Sequence, residues 1–424
     1  MEEDAEGFLY PEVDATACID CGLCEKVCHE LHPYEERKPL QVLAANNKDT
    51  DIRLKSSSGG IFTILAEKTL AEGGVVFGAR FDENWQVTID HSETTEGIAA
   101  FRCSKYVQAR TASAYKDCER FLKAGRKVLY TGTPCQIAGL KHFLRRDYDG
   151  LTTVDFVCHG TPSPKVWGRY IDECIAAINK HLDAMRVSHK SEEGWKRLRL
   201  SLEYDERGKA LKASSPMSEN PYMQAFLQEL ILRPSCYYCK AKSNRSHSDI
   251  TIADFWGVES HHPEIDDDKG TGLVMLNTEK GEAALDLAKV NYVESTYDKA
   301  AADNPAINSS VTCHPNRAKF FREIDSATDL TVHITKMLKP TLKQHLCGIL
   351  RRSLSITYHT LKRILGRDKL PDTLLDDDIK VAQTKVSELP RHLHLSFSKS
   401  SVRHITFRDK TPGWKSYRMT ITFH

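Results

Sequence analysis

Four cysteines packed into eleven residues constrain this chain more than any other feature: Cys18-Ile19-Asp20-Cys21-Gly22-Leu23-Cys24-Glu25-Lys26-Val27-Cys28. The C-x2-C-x2-C-x3-C spacing lets the first three thiolates wrap one [4Fe–4S] cubane, and Gly22 lets the backbone pass close to it. A zinc knuckle would instead present two separated C-x2-C pairs. The chain has thirteen cysteines, an odd number, and opens on the acidic Met1-Glu2-Glu3-Asp4 rather than an export signal. That usage indicates metal or redox chemistry in a reducing, cytoplasmic setting and excludes a disulfide scaffold. No apolar run reaches the ~18 residues of a membrane span, so no transmembrane segment is expected. Lys+Arg at 59 against Asp+Glu at 58 gives no charge argument for nucleic acid.

The run is that of bacterial ferredoxins, with His29 where those proteins carry Pro. In two-cluster ferredoxins the fourth Cys of each run ligates the other cluster, so one run leaves the partner of Cys28 unassigned. The preceding Glu6-Gly7-Phe8-Leu9-Tyr10-Pro11-Glu12-Val13-Asp14 looks like the linker between two ferredoxin halves. The expectation is a partial ferredoxin-like module over 1–38, with a first cysteine run upstream of Met1 that intact-mass analysis of the native protein would reveal.

Beyond Pro39 the pattern is α/β. Ile61 to Leu70 has helical apolar spacing, Gly73-Gly74 ends it, and Val75 to Ala79 reads as a buried strand. A helix near Ala114 to Ala124, a strand over Lys127 to Tyr130, a helix near Ile137 to Arg145 and a strand over Thr152 to Cys158 repeat the plan. Such alternation predicts a sheet that is at least partly parallel. Past Trp195 the strands Arg197 to Tyr204 and His247 to Phe255 alternate, with a helix over Pro221 to Leu232 between them. Another strand, Gly272 to Asn277, precedes a helix opening at Glu279, giving an α+β character overall. From Thr341 to His424 there are 16 basic and 7 acidic residues, against 43 and 51 before. That shift separates a basic C-terminal extension, 327–424, from regions 39–135 and 136–326.

A second cysteine set is dispersed. Cys236-Tyr237-Tyr238-Cys239 is a C-x2-C pair, Cys135 follows the turn Thr131-Gly132-Thr133-Pro134, and Cys158 ends a strand. Strand-end ligands converge at one edge of a sheet; spacing alone leaves zinc, iron–sulfur and plain core thiols open. Ser57, Ser58, Gly59 and Gly60 precede a helix whose free N–H groups suit a phosphate, or serve only as a cap. Gly132 and Thr133 lie where a ring or phosphate can approach the backbone. Lys105 can pair with an anionic group, and the Gly270-Thr271-Gly272 turn and Thr278 are further cofactor candidates.

Taken in order, the ferredoxin run, Ser57-Ser58-Gly59-Gly60, Ser104-Lys105-Tyr106-Val107-Gln108, Gly132-Thr133-Pro134-Cys135-Gln136, and Cys236 to Cys239 followed by Ser248-Asp249-Ile250-Thr251-Ile252-Ala253-Asp254 form a combination. Over residues 6 to 325 it resembles the coenzyme F-420 hydrogenase/dehydrogenase beta-subunit family in its ferredoxin-fused bacterial form. The resemblance implies a flavin-binding α/β domain with a mixed sheet, holding FAD or a related flavin against the loops above, Gln136 included. It also implies a second [4Fe–4S] cluster, which by position falls to Cys135, Cys158, Cys236 and Cys239 beside the one on Cys18, Cys21, Cys24 and Cys28.

The function expected is an electron relay between a hydride carrier (a deazaflavin such as coenzyme F-420, a flavin or a nicotinamide) and a one-electron partner, a redox protein or ferredoxin. No G-x-G-x-x-G follows a strand. The alternative is an iron–sulfur accessory or redox-sensing subunit without turnover. Cys103, Cys118, Cys174, Cys313 and Cys347 show no ligand spacing. Trp195 and Trp256 read as core, His261-His262 and Asp266 to Asp268 as a solvated loop, and the basic stretch Leu342 to Leu365 as a solvated helix face.

Overall fold

The computed structural model describes residues 1–179, 181–191, 194–206 and 209–339, and the short segments 393–396, 404–409 and 417–420. They divide into two compact units, Met1–Leu338 and Lys339–His424. The first holds thirteen strands: β1 (Glu2–Glu3), β2 (Leu9–Tyr10), β3 (Gln41–Asn47), β4 (Val75–Phe81), β5 (Val87–Ser92), β6 (Val128–Gly132), β7 (Leu151–Phe156), β8 (Ala184–Ser191), β9 (Gly194–Glu206), β10 (Lys209–Pro216), β11 (Ile250–Asp254), β12 (Gly272–Leu276) and β13 (Val290–Ser295). In the second, β14 (Leu393–Ser396), β15 (His404–Asp409) and β16 (Tyr417–Thr420) form an antiparallel sheet in that order. The basic stretch Leu342 to Leu365 and Cys347 lie outside the described residues.

An eight-stranded mixed sheet in the order β13-β3-β12-β11-β7-β6-β4-β5 is the frame of the first unit. Its centre, β11-β7-β6-β4, is parallel. Strands β12, β3, β13 and β5 complete it through antiparallel pairs. The two-residue period of each strand separates two apolar layers. Leu43, Val76, Leu129, Val154, Ile250 and Val274 pack under the helix Ile61–Ala71 on one face. On the opposite face Val75, Phe77, Val128 and Tyr130 meet the helices Ala114–Lys123 and Pro134–Leu144. Farther along that face Val42, Ala44, Leu273 and Met275 enclose Trp195 and Phe255.

The sequence pattern has no reading for β3, because Gln-Val-Leu-Ala-Ala-Asn-Asn carries few strong strand formers. Tertiary pairing on both sides decides it: β3 lies between β12 and β13, and six of its seven residues are buried. The helix Leu330–Leu338 buries Leu330, His333, Ile334 and Met337 and so packs as part of the first unit. Among the described residues no helix is long and apolar enough to cross a membrane.

Candidate functional site

The parallel register sets the site. Strands β4, β6, β7 and β11 run together, and β3, reached through the antiparallel β12, shares their direction. Their carboxyl ends, with Gly272 at the start of β12, make one edge of the sheet, where open α/β sheets place ligands.

Two of the four dispersed cysteine positions follow directly from that edge, and the other two come from a turn docked against it. Cys135 is the second residue of the helix Pro134–Leu144, whose start is fixed by a capping box: Gln136 N–H donates to Thr133 Oγ1 (3.4 Å) and Thr133 N–H to Gln136 Oε1 (3.0 Å). Thr133 Oγ1 also lies 3.1 Å from Cys135 Sγ. Cys158 stands two residues past β7. Cys236 and Cys239 sit in and after the 3-10 turn Pro234–Tyr238, which docks beside Cys158 because Arg233 N–H donates to Thr161 O (2.9 Å) and Thr161 N–H to Cys236 Sγ (3.4 Å). Cys239 N–H is held by Ser310 Oγ at 3.0 Å.

The four thiols feel one another. Burial pushes Cys135 up to about 12, with the Thr133 hydroxyl opposing and Cys239 and Cys236 adding to the rise. Burial raises Cys158 as well, and the other three cysteines add to it, while Lys242 pulls the other way. Cys236 is also raised by burial, against the Thr161 N–H. Without a metal Cys135, Cys158 and Cys236 hold their protons, and metal binding displaces them. Among the described residues no three His, Cys, Asp or Glu groups converge on a single ion. A cubane spreads its thiolates over four corners instead, and an all-sulfur donor set is one that iron–sulfur clusters accept. With a hydrogen bond to one sulfur in place, the residues fit such a group.

The N-terminal run is built differently. Cys18, Cys21 and Cys24 are exposed and Cys28 half-buried. Gly22 takes φ 65°, the left-handed conformation expected of it, at the start of the short helix Leu23–Lys26. Anchors bracket the run. Before it, Phe8 is fully buried and Glu6 forms a bidentate ion pair with Arg317. After it, Lys240 donates to Glu30 O (2.6 Å), and Tyr34 is sandwiched between the rings of His142 (4.5 Å) and His247 (4.4 Å). Because Lys240 adjoins Cys239 and Cys135 senses Glu30, these anchors bring the run beside the dispersed set.

Several predicted cofactor loops also meet. Ser58 Oγ donates to Thr271 O (3.1 Å), and Ser104 N–H to Ser57 Oγ (2.9 Å) next to Lys105. A methyl group on Gly59 would lie 2.4 Å from Ala45 O, and one on Gly270, at φ 96°, 2.9 Å from Ser58 O, so close approach requires the first glycine and backbone conformation the second. Gly60, at φ 78°, opens the helix Ile61–Ala71 without a side-chain cap, as a phosphate-facing terminus would. Lys105 Nζ donates to Arg102 O (2.9 Å) and Cys103 O (3.1 Å), and burial lowers it to about 8. Gly132 ends β6 at the cysteine set rather than among these loops. Gln136 and Thr133 are engaged in the capping box. Thr278 is set apart: it follows β12 at the opposite edge, caps the helix Glu279–Ala284 and donates to Asp249 Oδ1 (2.9 Å).

Three residues here have no role in the sequence reading. Lys190, from the end of β8, donates to Arg53 O (2.6 Å) and Ser58 O (2.5 Å). Arg53 Nε donates to Gly270 O (2.8 Å). Asp254, at the end of β11, accepts from Trp195 Nε1 (3.2 Å), and Trp195 stacks on Trp256 at 5.2 Å. Burial raises Asp254 to about 6 and lowers Lys190 to about 8. Of the three, Asp254 alone lies within a motif; Lys190 sits in a long hairpin with no local signal.

The fold is thus a mixed α/β sheet with four cysteines gathered at its carboxyl edge. Residues 125–299 match the family model for the C-terminal part of the coenzyme F420 hydrogenase/dehydrogenase beta subunit. One chain of the xenon-derivatised F420-reducing [NiFe] hydrogenase complex from Methanosarcina barkeri is similar, with 22% identity over 69% of this chain and 95% of that chain and a TM-score of 0.43. No curated protein matches.

Proposed function

We propose that the chain is an iron–sulfur flavoprotein oxidoreductase passing electrons between a hydride carrier and a one-electron partner protein. Cys135, Cys158, Cys236 and Cys239 would hold one [4Fe–4S] cluster, and Cys18, Cys21, Cys24 and Cys28 would serve a second. A flavin at the loops around Ser57–Gly60 and Gly270–Gly272 would supply exchange between hydride and single-electron chemistry. The observation that carries this reading is the meeting of three distant cysteine segments at the same sheet edge as those loops.

The chain's own residues divide the work. The uncapped start of the helix Ile61–Ala71 binds an anionic group, and the Trp195–Trp256 stack walls the site. Asp254, shifted to about 6, can hold or release a proton at its carboxyl near neutral pH. The Thr161 N–H and the Thr133 hydroxyl lie against thiol sulfurs, the kind of contact that tunes a cluster's potential. Anaerobic reduction with dithionite followed by EPR and visible absorbance tests the proposal. Two distinct cluster signals with bleaching of a flavin band are expected; a spectrum with neither flavin nor cluster contradicts it.

A further inference from the structure

Lys242 is a buried ammonium that lacks the partner such a group normally requires. Its residue is 8% exposed, and its Nζ donates to Cys158 O (2.5 Å) and Ala306 O (2.7 Å). Among the described residues no carboxylate pairs with it. Two carbonyls take two of its three hydrogens and do not balance its charge, and an uncompensated buried charge is strongly unfavourable. A cavity beside it is lined by Asp155, Cys158, Asn244 and Thr251. The one carboxyl on that wall, Asp155, turns Oδ1 to Ser248 Oγ (2.9 Å) and Thr251 Oγ1 (2.5 Å). Cys158, whose carbonyl accepts from Nζ, also senses the ammonium at its thiol.

The other cations near the set are spent elsewhere. Arg233 Nη1 donates to Leu9 O (2.9 Å) with its guanidinium over the Tyr10 ring, and Lys240 is committed to Glu30 O.

Resting on the reading that Cys135, Cys158, Cys236 and Cys239 hold a cluster, we infer that Lys242 is the positioning residue that sets its reduction potential. The four thiolates and the cluster carry net negative charge, and adding one electron increases it. A fixed positive charge in a low-dielectric wall favours the reduced form. The electron comes from an external reductant, and no bond is made or broken. Held there, the cation keeps this cluster reducible despite its burial, so that it can accept electrons from a two-electron donor nearby.

The test is a redox titration of the intact chain with dithionite, followed by EPR, on Lys242→Met and Lys242→Arg, together with iron content. Lys242→Met should make this cluster harder to reduce by about tenfold in the one-electron equilibrium, about 59 mV. Lys242→Arg should restore the wild-type value, which a merely structural role would not predict. If Lys242→Met loses its iron, Lys242→Gln, which keeps a donor for the carbonyls without the charge, gives the deciding titration and should shift the potential the same way. Iron present with an unchanged potential in the informative variant overturns the role of Lys242 alone. Wild-type iron that survives Cys236→Ser with Cys239→Ser overturns the cluster assignment, and this inference falls with it.

Discussion

The two cysteine sets solve the same problem in opposite ways. The N-terminal run is contiguous, exposed at Cys18, Cys21 and Cys24, and organised by little more than a left-handed Gly22 and one turn of helix. The second set is drawn from positions a hundred residues apart and is held by a capping box, a strand end and a docked 3-10 turn. If each set holds a cluster as proposed, the contiguous run would depend on it for shape, whereas the scaffolded set is positioned by the sheet beforehand. On the proposed reading the exposed run would suit exchange with a partner at the surface, and the half-buried set exchange inside the protein, where the backbone controls solvent and charge.

The largest effect that would break this contrast is on iron content. Cys236→Ser with Cys239→Ser should remove about four iron per chain and leave the run loaded, and Cys18→Ser with Cys21→Ser should do the converse. Loss of all iron from either pair would mean that the two sets are one site. Exposure sharpens the contrast next: a chelator in air should strip the run first, followed by absorbance, and stripping of the buried set first would reverse the roles assigned here.

Smaller effects separate the cofactor loops from a residue at the far edge. Gly59→Ala drives a methyl group into Ala45 O and should cost about 1–3 kcal/mol in chemical denaturation while releasing flavin. Thr278→Ala should cost about 1 kcal/mol through its lost cap and leave flavin bound. Equal flavin loss in both variants would argue against a site at the Gly59 edge.

The smallest effect is in pH. Asp254 holds its proton more tightly folded than unfolded, because burial raises it to about 6. Its contribution to stability is therefore greatest below about pH 4 and is lost as pH rises to about 6. Thermal melts of Asp254→Asn should be flatter over that window than wild type, and parallel curves would remove Asp254 from the buried charges.

Much of the central sheet was legible. The helix at Ile61 and the strand at Val75 begin at the residues their apolar spacing indicated, because local pattern and tertiary burial agree there. β3 was not, since its Ala and Asn residues become a strand only through pairing on both sides. In the same way, the cysteine run announces itself in eleven residues, while Lys190, Arg53 and Lys242 carry no sequence signal: their importance comes from carbonyls and thiols that only the fold brings to them. Thr278 shows the same dependence on topology: the antiparallel direction of β12 carries this turn-like residue to the edge opposite the cysteines.

Iron, acid-labile sulfide, zinc and flavin per chain, measured on protein purified without oxygen, test the central claim most directly. Two differently built cluster sites beside a flavin predict about eight iron and eight sulfide with bound flavin. Zinc in place of iron, with no flavin, would contradict the electron relay.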